Sequence, residues 1–160
     1  NENIFYFSNL MKLNVIKSKP KDASAIIIYY KKKVLLNLRS NKKNIFYPNH
    51  WGLLGGAKEN KENLRETAIR EFEEETSVKI VKKNLFFFNK INFSFPNNSK
   101  KIILRNYYIY KIDNLVNFKK FFFLTEGLRS NFFDYDKIRK MQNIVPYDKL
   151  ALDMFFSSLK

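Results

Sequence analysis

Between Gly56 and Val78 the chain reads GAKENKENLRETAIREFEEETSV, an acidic helix inside an otherwise basic protein. Glu59, Glu62, Glu66, Glu71, Glu73, Glu74 and Glu75 make up nearly half of the 15 acidic residues, against 30 Lys and Arg over the whole chain. Crowded carboxylates raise the energy of a fold unless a cation sits among them. On a helical wheel of about 100° per residue, Leu64, Ala68, Ile69 and Phe72 form an apolar arc that needs a core to face. Glu71, Glu74 and Glu75 fall on the adjoining arc at neighbouring i, i+3 and i+4 positions, and Glu66 and Glu73 fall toward solvent. A carboxylate cluster that borders the core belongs at the edge of a cleft, which points to a bound metal. Asn60 or Asn63 is expected to cap the helix start.

Read alone, a Glu-rich helix is more often a solvated face paired to lysines and arginines. The lead-in argues otherwise. Three of the four glycines, Gly52, Gly55 and Gly56, stand directly before the helix. Glycine lets backbone approach a ligand closely, and such a loop feeding a helix suits phosphate or metal binding.

The loop, the carboxylates and Arg70 together match the signature G-x5-E-x7-R-E-U-x-E-E-x-G-U, in which U is a bulky apolar residue. The matching positions are Gly56, Glu62, Arg70, Glu71, Phe72, Glu74, Glu75 and Val78. The chain therefore resembles the Nudix hydrolases, with the MutT-like branch favoured. Ser77 stands where that family has glycine, at a position that normally takes the left-handed conformation to end the helix. Outside the box, Ala23–Tyr30 and Val34–Arg39 resemble the preceding hairpin, and His50 to Gly56 resembles the tryptophan-to-double-glycine approach. Leu85–Phe95 and Lys101–Lys111 read as a second hairpin about Pro96 to Ser99, and Asp134–Met141 and Asp148–Leu159 read as helices. The fold class implied is α/β, a Nudix-like α/β/α sandwich around a mixed β-sheet. One hydrolase domain is expected over residues 22–160, with 1–21 as a peripheral segment.

The resemblance also implies a chemistry: hydrolysis of a pyrophosphate bond in a nucleoside diphosphate linked to a group X, with Mg²⁺ or Mn²⁺. Glu71, Glu74 and Glu75, with the Gly56 carbonyl, are the implied metal ligands, and Glu71 is either a ligand or the base acting on water. Arg70 is expected to orient a box glutamate, while Glu62 fits either capping or a water-mediated metal contact. Arg39 is a phosphate clamp or a solvated strand end. Glu126, in the Thr125-Glu126-Gly127 loop, is an outer ligand or an alternative base. His50, the only histidine, is expected to pack a loop. Trp51, Phe72, Phe93 and Phe95 are expected in the core; Tyr107 or Tyr147 is a candidate to stack on a base. Asp148 lies near where MutT-like proteins place a purine-contacting amide, and the carboxylate there departs from that pattern.

Within the class a (d)NTP is favoured over ADP-ribose, a nucleotide sugar, a dinucleoside polyphosphate or a capped RNA. A non-catalytic nucleotide- or RNA-binding module is the competing reading. The formal charge of +15 is spread over scattered lysines, as compositional drift predicts, although a basic surface would also suit RNA. The apolar runs are far shorter than a membrane span. With no cysteine there is neither a disulfide nor a thiolate metal site. The expected setting is cytoplasmic, and the oligomeric state is unreadable.

Overall fold

The computed structural model describes residues 4–6, 21–59, 61–94 and 101–159. The expectations on Asn60, Phe95 and the turn Pro96 to Ser99 lie outside the described residues. The strands are β1 (Ile4–Tyr6), β2 (Ala23–Tyr30), β3 (Lys33–Leu38), β4 (Trp51–Gly52), β5 (Leu54–Ala57), β6 (Leu85–Ser94), β7 (Ile103–Lys111) and β8 (Arg129–Asp134). The helices are α1 (Leu64–Thr76), α2 (Leu115–Phe121), α3 (Tyr135–Lys140) and α4 (Pro146–Ser158).

The strands form one mixed sheet in the order β1-β6-β7-β2-β3-β4, with β5 also on β2 and β8 also on β3. Strand β2 runs parallel to β7 from Ala23↔Arg105 to Tyr29↔Lys111. It is antiparallel to β5, pairing Ser24 with Gly56 and Ala25 with Gly55. Its apolar run is continuous because both faces of this central strand are covered. Ala25 and Ile27 meet Leu152 and Phe155 of α4 on one side. Ile26 and Ile28 meet Ala68, Ile69 and Phe72 of α1 on the other. This is the α/β/α layering that the sequence implied.

The helices depart from expectation mainly at their ends. In α1 the Asn63 side chain accepts from the Arg65 and Glu66 N–H groups, while Glu66 accepts from the Asn63 N–H, a complete capping box. The helix α4 begins at Pro146, whose fixed φ suits a first turn. Within the segment expected to be peripheral, β1 runs parallel to β6, from Ile4↔Asn92 to Tyr6↔Ser94. Strand β8 and helix α2 are additions that the sequence does not announce. The β3–β8 pairing brings the chain back along β3 from Lys33↔Asp134 to Leu38↔Arg129.

Two corrections concern polar and aromatic side chains. Glu73 is not on a solvated face: it holds Lys79 at 2.6 Å and accepts the Ile80 N–H at 3.0 Å. Tyr107 is fully buried and its hydroxyl donates to Asp148, so it has no face to offer a base. His50 sits as expected in its loop, its Nδ1 2.8 Å from the Pro48 carbonyl.

Candidate active site

The sheet register decides where the glycine loop lies. Because β5 is zipped to β2, Gly55 and Gly56 are fixed under the last two turns of α1. A Cβ at Gly56 would land inside the Glu71 carboxylate, so only glycine allows the helix this close. The Gly55 N–H donates to Glu75 Oε2 at 3.0 Å.

Arg70 organises the rest of the helix. Its Nε and Nη2 donate to the two oxygens of Glu62 at 3.0 and 2.8 Å. Its Nη1 reaches Glu71 Oε1 at 2.9 Å and Glu74 Oε2 at 3.2 Å, and Nη2 also donates to the Ala57 carbonyl. Glu62 is thus the partner of Arg70, and it is further fixed by the Glu59 N–H and the Thr67 hydroxyl. The guanidinium holds the Glu62 carboxyl down to about 2.

A third carboxylate arrives from the loop before β8. Thr125 donates its N–H to the Glu75 carbonyl at 2.8 Å and its hydroxyl to the Glu74 carbonyl at 2.6 Å, which pins the loop to the end of α1. The Asn37 amide donates to the Glu126 carbonyl at 3.3 Å. Glu71, Glu75 and Glu126 then line one cavity of about 210 Å³, with Gly56 on its floor and Arg39 on its wall. Arg39 is steadied by a 2.8 Å bond from Nε to the Phe46 carbonyl.

Burial pushes the Glu75 carboxyl up to about 8, with Glu71 and Glu126 adding repulsion and Arg39 and the Gly55 N–H opposing it. Glu71 is raised in the same direction, burial outweighing the adjacent Arg70. Two carboxylates pressed toward protonation beside a third, all hard oxygen donors, fit a hard divalent cation, which would hold them ionised.

The sequence placed Glu71, Glu74 and Glu75 in one cluster; the structure divides them. Glu74 is largely exposed, held by Arg70, and lines a separate groove with Glu66, Glu73 and Lys79. Among the described residues no three His, Asp or Glu side chains are drawn together closely enough to grip an ion as they stand. Arg70 and the Gly55 N–H supply the reason, since each holds a carboxylate in a charge-assisted bond of its own.

Sequence reasoning missed Asn37, which ties the Glu126 loop to β3, and Arg105, which lines a second cavity beside the first. Asp148 does not contact that cavity as an amide would. It is buried, accepting from the Leu53 N–H, the Tyr107 hydroxyl and Arg105 Nε. No local pattern announces these pairs, because they join residues more than 40 positions apart.

The chain is similar in fold to a MutT protein from Methanosarcina mazei Go1 (22% identity, TM-score 0.67), covering 89% of this chain and 99% of that one. It is also similar to the NUDIX domain of Shewanella oneidensis NrtR complexed with ADP ribose (15% identity, TM-score 0.67, 95% of each chain). A C. elegans Ap4A hydrolase matches at 19% identity and TM-score 0.62, over 87% of this chain and 99% of that one. No curated protein matches. The NUDIX domain family matches residues 19–151, most of the chain and all of the site just described. The chain belongs to the Nudix family of pyrophosphohydrolases.

Proposed function

We propose that the protein hydrolyses a pyrophosphate bond in a nucleoside diphosphate linked to a further group, with a (d)NTP as the favoured substrate and Mg²⁺ or Mn²⁺ as cofactor. One observation carries the reading: Glu71, Glu75 and Glu126 share a cavity with the Gly55–Gly56 backbone, and Arg39 stands on its wall. Phosphoryl transfer to water needs positioning and charge neutralisation more than covalent chemistry from the protein.

Glu71, Glu75 and the Gly56 carbonyl, with Glu74 and Glu126 at the margins, would hold the cation. When bound, such an ion neutralises phosphoryl charge and acidifies water. Arg39 offers a fixed positive charge to a substrate phosphate. Arg70 occupies Glu71 Oε1, which leaves Oε2, beside Gly56, either to bind the cation or to accept the proton of the attacking water. Glu126 is the alternative proton acceptor on the facing loop.

The test is product release from a panel of (d)NTPs, ADP-ribose, nucleotide sugars and dinucleoside polyphosphates with Mg²⁺, against a metal-free control. Metal-dependent conversion of a (d)NTP to its monophosphate and pyrophosphate is expected. Silence across the panel with nucleotide still bound would leave a non-catalytic binding module instead.

A second reading, an RNA 5′-pyrophosphohydrolase, has one observation in its favour. A groove of about 570 Å³ lined by Arg129, Lys137 and Lys140 contains no carboxylate, and β8 enters it three residues after Glu126. RNA turnover that falls steeply between low and moderate salt, with small nucleotides unaffected, would favour it.

A further inference from the structure

The loop that carries Glu126 is not placed by burial, since Thr125, Glu126, Gly127 and Leu128 are all exposed. Hydrogen bonds place it. Thr125 is tied to the end of α1, and the Leu128 N–H donates to the Leu38 carbonyl at 2.8 Å. Between these two anchors the chain rests on the side chain of Asn37, in β3.

Asn37 is 7% exposed and lines the carboxylate cavity beside Glu71, Glu75 and Glu126. Its Nδ2 donates to the Glu126 carbonyl at 3.3 Å. Gly127, at φ 92°, lies against the same amide, and a Cβ there would collide with Nδ2, Oδ1 and Cγ alike. The loop is therefore as close to β3 as bare backbone allows.

The other end of that amide is unsatisfied. Oδ1 is buried and, among the described residues, has no hydrogen-bond partner. Turning the amide over would set two oxygens face to face at the Glu126 carbonyl, so the oxygen is the end left unpaired. A buried acceptor without a partner weakens a fold, and an apolar side chain of the same branching avoids that loss. The neighbours of Asn37 in β3 are apolar, Leu35, Leu36 and Leu38, so the amide is an interruption of that run. What it contributes lies in the loop it holds.

We propose that Asn37 is a positioning residue that acts through Glu126, its amide holding the loop where the Glu126 carboxylate can join Glu71 and Glu75 around the cation. The inference rests on reading the carboxylate cavity as the cation site. Of the three tethers on the loop, Asn37 is the one that bonds to Glu126 itself.

Mn²⁺ binding to the full chain, followed by the loss of the free-ion paramagnetic resonance signal, tests this without turnover. Asn37→Leu is expected to weaken Mn²⁺ binding about 10- to 100-fold, the loss typical when the support of a metal ligand is removed, while keeping its circular dichroism. Glu126→Gln should weaken binding too. Adding Asn37→Leu to it should then change the affinity by less than about 2-fold, since both act through one carboxylate. If leucine overfills the site and the chain does not fold, Asn37→Ser, which drops the amide without adding bulk, carries the same comparison. Native affinity in the Asn37 variant, native affinity in Glu126→Gln, or losses that multiply in the double variant overturns the proposal and leaves the cation site standing. No Mn²⁺ binding by the native chain sinks the cation reading itself, and the proposal with it.

Discussion

Glu62 and Arg70 meet as a forked pair, both carboxylate oxygens taking an N–H from the guanidinium at 2.8 and 3.0 Å. That pairing turns Nη1 toward Glu71, which lines the carboxylate cavity from the helix side. Arg70 is therefore a positioning residue that acts through Glu71, and a lysine cannot reproduce its planar fork. Arg70→Lys is expected to lower kcat about 10- to 100-fold, the range seen when supporting bonds around metal ligands are lost. KM should change little, and circular dichroism should stay native. Unchanged kcat would reduce the pair to a surface ion pair.

The raised Glu75 carboxyl gives a pH test with a definite sign. Its folded value of about 8 lies above the ordinary 4.5, so between these values the folded chain holds a proton that the unfolded chain has released. Stability in chelator must therefore fall as pH rises from about 4.5 through 8, by something on the order of 2–4 kcal/mol. Glu71, raised in the same direction, adds to the slope. Thermal unfolding of Glu75→Gln should give a flatter curve and a higher Tm at the alkaline end, and added Mg²⁺ should do the same for the native chain. Parallel curves for variant and native chain would contradict the environment described for Glu75.

Glu74 stands apart from the carboxylate cavity, yet the family resemblance counts it as a ligand. Glu74→Gln is expected to cut turnover about 10³-fold, since ~4 kcal/mol of transition-state stabilisation at 1.36 kcal/mol per decade gives that factor. Retained activity with native circular dichroism would remove Glu74 from the ligand set and leave Glu71, Glu75 and Glu126.

Ser77 takes φ 60° and ψ 2° and donates its N–H to the Glu73 carbonyl. The left-handed exit that the family makes with glycine is thus kept by a residue with a Cβ, at a cost of about 1 kcal/mol. Ser77→Gly should raise Tm by about 2–4 °C for a domain of this size without altering kcat. A lower Tm would mean that the serine side chain stabilises the exit in some other way.

What the sequence made legible was local and periodic. The α1 core face of Ala68, Ile69 and Phe72, the Asn63 cap and the Gly56 approach all come from spacing along one helix and its lead-in. The hairpin strands β2 and β3 were readable because their apolar runs are bounded by a lysine turn, with Lys31 at φ 54°. Less legible was whatever depends on register between distant strands. Arg105 meets Asp148 because Ala23 pairs with Arg105 and α4 crosses that end of the sheet, which no window of sequence displays. The segment Leu115 to Leu124 is largely apolar or basic, with no periodicity to separate α2 from the loop after it. The direction of Glu74 was also hidden, since the helical wheel groups it with Glu71 and Glu75 but the Arg70 fork decides where its carboxylate rests.

The double tether of Thr125 to the Glu74 and Glu75 carbonyls makes the Glu126 loop and the last turn of α1 a single mechanical unit. Leu128, whose N–H donates to the Leu38 carbonyl, anchors that unit to the sheet at its other end. Any widening of the cleft for a bulkier cargo must then come from the opposite bank, the Ser40–His50 segment, which Arg39 holds through its Nε to the Phe46 carbonyl and its N–H to the His50 carbonyl. Evolution of new cargo preferences in this scaffold has that bank to work with, while the acidic side is held to one shape.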